Sequence, residues 1–133
     1  MSGKRRIYSS DVTEPADGLW SNALLIGQQL FISGMTARGK DTNVIEGDDE
    51  YQQALTVFRK IRHLVEAAGG RMDDVVKMTI FVTRIQHNTE VWRARREFFS
   101  GDFPACTLVE VKGLARADIL LEIEATAIVG CSA

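Results

Sequence analysis

The chain has little that points to redox, metal or nucleotide chemistry. Among 133 residues there are two cysteines, Cys106 and Cys131, and two histidines, His63 and His87. Two cysteines are too few for a disulfide framework, and they form no C-x-x-C pair. The histidines make no H-E-x-x-H, so no zinc or iron centre is expected. The dinucleotide-binding G-x-G-x-x-G, the phosphate-binding Walker loop and the G-x-S-x-G nucleophile elbow are all absent. No apolar run approaches the ~20 residues that a membrane helix needs. Lys4-Arg5-Arg6 is basic, but no apolar stretch follows it as a signal peptide requires, which makes a cytoplasmic location the default expectation. There is no excess of positive charge either. Sixteen Lys+Arg against 18 Asp+Glu give a formal net charge of -2, whereas a general nucleic-acid binder carries a basic surplus. A nucleic-acid partner is therefore not expected.

What is present fits a soluble globular protein. The composition is 45% hydrophobic and 26% charged, and the length suits a single domain over residues 1–133. Ala23-Leu24-Leu25-Ile26 and Leu30-Phe31-Ile32-Ser33 read as a hairpin around Gly27-Gln28-Gln29, with Gly34 ending the second strand. Thr36 to Asp49 is polar and reads as a loop or an irregular strand. From Tyr51 to Ala68, apolar residues recur at three- and four-residue spacing (Tyr51, Ala54, Leu55, Phe58, Ile61, Val65, Ala68), the mark of a helix with one buried face. Asp48 or Asp49 can cap it, and Gly69-Gly70 stops it. His63 falls on the solvated side.

Val75 to Thr83 alternates as a strand, with Val76, Met78, Ile80 and Val82 on one face. Asn88 is placed to cap a second helix, Thr89 to Ser100, ended by Gly101. It carries the basic cluster Arg93, Arg95 and Arg96. Strands follow from Cys106 to Val111 and from Ile119 to Val129. Two helices on one face of a mixed, mainly antiparallel sheet of four or five strands make an α+β fold. The other sheet face carries Lys77, Thr79, Phe81, Leu120, Glu122 and Ile128. Such a half-apolar face suits contact with another subunit, although a solvated face fits the pattern as well.

Several stretches carry a family resemblance. They are Gly18-Leu19-Trp20-Ser21-Asn22-Ala23, Leu30-Phe31-Ile32-Ser33-Gly34, Val65-Glu66-Ala67-Ala68-Gly69 and Val75-Val76-Lys77-Met78-Thr79-Ile80-Phe81-Val82. The most specific are Phe103-Pro104-Ala105, Val109-Glu110-Val111 and Leu121-Glu122-Ile123-Glu124-Ala125. On these the chain, from about Tyr8 to Ala127, resembles the RidA/YjgF family of small enamine/imine deaminases, also labelled as L-PSP ribonucleases. The resemblance implies a chorismate-mutase-like fold, a homotrimer, a small-molecule ligand in clefts at the subunit boundaries, and no cofactor.

It also implies site residues. Glu122 matches the acid thought to position or protonate water, and Gly34 the glycine whose backbone lines the cleft. Trp20 stands where the family usually has Tyr, and Trp92 where Asn is common. Cys106 stands where the deaminases carry the Arg that holds the substrate carboxylate. Imine hydrolysis needs water delivered to an electrophilic carbon and a proton passed to the leaving amine. A half-buried carboxylate such as Glu122 suits both, and the chemistry itself calls for no metal. Glu122 and Cys106 are the candidate catalytic residues, with Trp20, Gly34, Trp92 and Cys106 as candidate substrate contacts. The Cys106 thiol has two readings, a nucleophile or redox-sensitive group, and a small strand residue that fills space.

Loss of the Arg implies an altered substrate preference, toward flat, apolar or cationic ligands, unless Arg38, Arg95, Arg96 or Arg116 reaches in instead. Two alternatives stand beside a deaminase-like hydrolase. One is a non-catalytic ligand-binding or regulatory trimer that keeps the cleft. The other, which the acidic charge balance disfavours, is an endoribonuclease.

Overall fold

The structure, a computed structural model, describes residues 3–133. Six strands and two helices follow one another as β1 (Arg5–Arg6), β2 (Ala23–Ile26), β3 (Gln29–Met35), α1 (Glu50–Ala67), β4 (Val75–Val82), α2 (Asn88–Arg95), β5 (Ala105–Glu110) and β6 (Leu121–Ile128). They form one sheet in the order β1-β2-β3-β6-β4-β5. Every neighbouring pair is antiparallel except β4 with β5, which needs α2 as its crossover. The mixed α+β sheet is thus as expected, with β1 as a sixth strand.

Both helices cover the same sheet face. Ala54, Val57, Phe58, Ile61, Leu64 and Val65 of α1, with Val91 and Ala94 of α2, pack on Leu30, Ile32, Met78, Ile80, Leu121 and Ile123, all essentially inaccessible. Asp49 caps α1 by accepting from the Gln52 amide at 2.8 Å, and Gly69 ends it with a left-handed φ of 92°. Buried Gln53 ties two connections to this helix. Its Nε2 donates to the Gly47 and Asp118 carbonyls, and its Oε1 accepts from the Leu120 amide. The chain entering β6 just before Glu122 is therefore fixed from below.

Several boundaries depart from the pattern-based expectation, among them β3 starting at Gln29 and β6 at Leu121. β3 does not stop at Gly34. It continues to Met35 through a bulge, because Ile32 pairs with Ala125 and Met35 with Ile123, leaving one extra residue on β3. Helix α2 ends at Arg95 rather than Ser100. Beyond it the backbone bonds tighten to three-residue spacing, Glu97 to Ala94 and Phe98 to Arg95, while Phe98 and Phe99 turn in against Phe58. Asn88 is the first helical residue rather than the cap, since a 3-10 turn over Ile85–His87 leads into it.

Among the described residues no helix lies on the second sheet face. Ile26, Phe31 and Ile128 are each more than 40% exposed there, beside Lys77, Thr79 and Thr126.

Candidate functional site

Glu122 stands near the start of β6, on the uncovered face of the sheet, where alternation sends Leu121 and Ile123 into the core and Glu122 out. It opens into a cavity of about 540 Å³ bounded by the 12–20 segment, the bulge of β3, the Thr36–Gly39 stretch and α1. The bulge makes room for it. A Cβ on Gly34 would lie 2.9 Å from Glu122 Cδ and 3.0 Å from Cγ, inside van der Waals contact. Only a residue without a side chain lets the carboxylate lie over that strand. Burial pushes the Glu122 carboxyl above the ordinary carboxylate range, and Glu124 nearby pushes it the same way.

The walls are fastened by polar contacts. Buried Asn22 donates to the Thr13 carbonyl at 3.0 Å and to Glu14 at 3.3 Å. Arg6 pairs with Glu14 at 2.5 Å and also donates to the Trp20 carbonyl at 3.2 Å. Ser33 Oγ, in the bulge, donates to the Ser21 carbonyl at 2.6 Å. These hold the backbone at Trp20 while its ring stays 54% exposed at the cavity mouth. Opposite, Lys60 of α1 donates to the Thr36 and Arg38 carbonyls at 2.8 and 3.2 Å. Burial, followed by the charge of Arg38, lowers the Lys60 ammonium to about 8.

Trp20, Gly34 and Glu122 thus line one cavity, and Cys106 and Trp92 lie elsewhere. Cys106 on β5 pairs with Met78 of β4, whereas Glu122 pairs with Phe81 of the same strand. Two strand spacings and three residues of rise separate them, on the order of 14 Å. They also face opposite ways. Cys106 turns with Leu108 toward the helix layer and packs against the core, while Glu122 faces out. Among the described residues no carboxylate bears on the thiol. Burial is the main influence raising its pKa, opposed by the charges of Arg95 and Lys77. Trp92, on α2, packs half-buried beside Arg95, whose guanidinium lies 4.4 Å from the Trp92 ring.

Asn22, Glu14 and Lys60 at the Glu122 cavity went unread in the sequence. Asn22 had a visible signal, an amide at the edge of an apolar strand. Lys60 had none, because a helix period does not distinguish a lysine that folds over onto a loop from one in water.

This architecture is that of the L-PSP, chorismate-mutase-like α+β proteins. The family model described as Endoribonuclease L-PSP matches residues 12–129, and the chain belongs to that family, the RidA/YjgF family. A 2-iminobutanoate/2-iminopropanoate deaminase of Dermatophagoides farinae is 32% identical over 128 residues, 94% of this chain and 97% of that protein. A Pseudomonas aeruginosa protein of unknown function has a solved structure with a TM-score of 0.86 and 41% identity, covering 98% of this chain and 95% of its own. A conserved Rid-family protein of Yersinia pestis superposes with a TM-score of 0.87 at 32% identity, over 96% and 100%.

Proposed function

We propose that this single-domain chain is a deaminase-like hydrolase of small imines or enamines, working as a homotrimer with a substrate cleft between adjacent copies. The observation that carries this reading is Glu122. It is a half-buried carboxylate with a raised pKa, set over a glycine bulge in a cavity large enough for a small molecule. The deaminase relative supports it. In the reaction, Glu122 accepts a proton from water as its oxygen bonds to the carbon of the protonated imine and the C=N electrons move to nitrogen. The carboxyl returns that proton to the amine of the tetrahedral intermediate. As the C–N bond breaks, the carboxylate takes the hydroxyl proton, the O–H electrons form the C=O bond, and ammonia and a carbonyl product leave.

The trimer is supported by the uncovered sheet face with Phe31, Ile26 and Ile128. It is supported also by the split of the site. Residues on opposite faces of one sheet can share a ligand only if the β5–α2 edge of one copy meets the Glu122 wall of another. Substrate preference differs from that of Arg-bearing relatives, because the Cys106 thiol cannot make a bidentate contact to a carboxylate.

Light scattering on a sizing column should give three times the 14.8 kDa chain mass. Ammonia release from a panel of imines, measured above spontaneous hydrolysis, tests the activity. The missing Arg favours one other reading, a ligand-binding trimer without chemistry, which would show saturable tryptophan quenching and no acceleration on any imine.

A further inference from the structure

The positive charge that position 106 lacks lies beside it. Trp92 and Arg95 are one turn apart on α2 and share a face, and Phe103 lies in the segment that enters β5. The Arg95 guanidinium is 4.4 Å from the Trp92 ring and 5.6 Å from the Phe103 ring, and it adjoins the Cys106 thiol. The two rings steady the cation, while its hydrogen-bond donors point in the plane of the group. The Arg95 Nε is buried and has no hydrogen-bond partner, and among the described residues no carboxylate is within ion-pair distance of it. Other arginines are committed: Arg93 to Glu90 at 2.7 Å, Arg84 to buried Glu50 at 2.7 Å, and Arg116 to Asp118 at 2.8 Å. Arg96 is exposed, and Arg38, exposed as well, lines the Glu122 cavity. Arg95 is thus a partly desolvated, pre-positioned fork with nothing acidic in it, and such a group binds anions more strongly than one in water.

We propose that Arg95, on helix α2, is the group that holds the anionic end of a ligand in the cleft. The anchor comes from helix α2 instead of from strand β5, so the preference shifts in geometry and not in charge. This rests on the proposed cleft between copies, in which the β5–α2 edge meets the Glu122 wall.

The test is calorimetric binding, which needs no turnover. Pyruvate, a 2-oxo acid of the product type, and its uncharged amide are titrated into the wild type, Arg95→Met, Arg95→Lys and Arg96→Met. Arg95→Met should weaken pyruvate binding roughly 10- to 100-fold and leave the amide unchanged. Arg95→Lys should fall between, and Arg96→Met should stay at wild type. Adding Cys106→Arg to Arg95→Met returns a guanidinium from the strand and should restore pyruvate binding. It also keeps the test readable if Arg95→Met alone folds poorly.

Equal pyruvate binding in wild type and Arg95→Met overturns the proposal, as does a wild type that binds only the amide. The two readings fail separately. Arg95-dependent pyruvate binding without ammonia release from any imine refutes the hydrolase and keeps the anchor. Turnover of carboxylate imines that Arg95→Met leaves untouched refutes the anchor and keeps the hydrolase.

Discussion

Replacing Gly34 by alanine should disable the Glu122 cavity without unfolding the chain. Gly34 does not have a positive φ, so its backbone accepts a Cβ, and the obstacle is a single neighbour. That Cβ would meet the Glu122 carboxylate, 2.9 Å from its Cδ. The carboxylate is the free end of a flexible side chain, so it gives way before the strand does. Restoring ordinary contact takes a retreat of roughly 1 Å, and a misplacement of that size costs ~100-fold when a group must hold water in line with an electrophile. The assay is kcat/KM for imine hydrolysis, with thermal unfolding of the same samples alongside. Gly34→Ala should lose about two orders of magnitude while its melting temperature stays within a few degrees of wild type. If both changes act through one carboxylate, Gly34→Ala added to Glu122→Gln should cost little more than Glu122→Gln alone. Wild-type kcat/KM in a well-folded Gly34→Ala protein would refute the reasoning.

Two further predictions concern stability and the thiols. Burial alone would raise the Asp74 carboxyl, but bonds from Ser132 Oγ and the Gly130, Ser132 and Arg71 amides overcome it and bring the pKa to about 2. Because the folded pKa is depressed, this stabilisation is complete above the ordinary value of 3.8 and fades as the pH falls through about 2. Asp74→Asn should therefore lose about 2 kcal/mol at pH 7 in urea unfolding, and the gap to wild type should close near pH 2; a gap independent of pH would be contrary. Burial raises the Cys106 thiol pKa, so iodoacetamide at neutral pH should alkylate exposed Cys131 well before Cys106, as read by peptide mass; the reverse order would show an activated thiol.

The fold was legible wherever a period had room to repeat. The α1 stripe from Ala54 to Val65 and the alternation of β4 and β6 specify one buried face each, and they place both helices on the same side. Alternation put Glu122 and Glu124 alike on the face away from the core, and the family resemblance alone distinguished Glu122 as the acid. Short-range tertiary pull was not legible. Phe98 and Phe99 turn in against Phe58 where α2 ends early, and the need for a glycine at position 34 comes from a carboxylate on a strand nearly ninety residues away. The Arg95 environment is of this kind as well. In the sequence it is one member of a basic run on a helix, and only the approach of Phe103 and Cys106 from β5 distinguishes it from Arg93 and Arg96.

We propose that Glu122 moves the protons of imine hydrolysis, and kcat/KM against pH for wild type and Glu122→Gln with one reactive imine tests this most directly. Wild type should show an acid limb whose midpoint lies above the ordinary carboxylate range, as the burial of Glu122 requires. Glu122→Gln should abolish that limb and lower the plateau by roughly 100- to 10,000-fold. A Gln variant that keeps both the limb and the plateau would contradict the account.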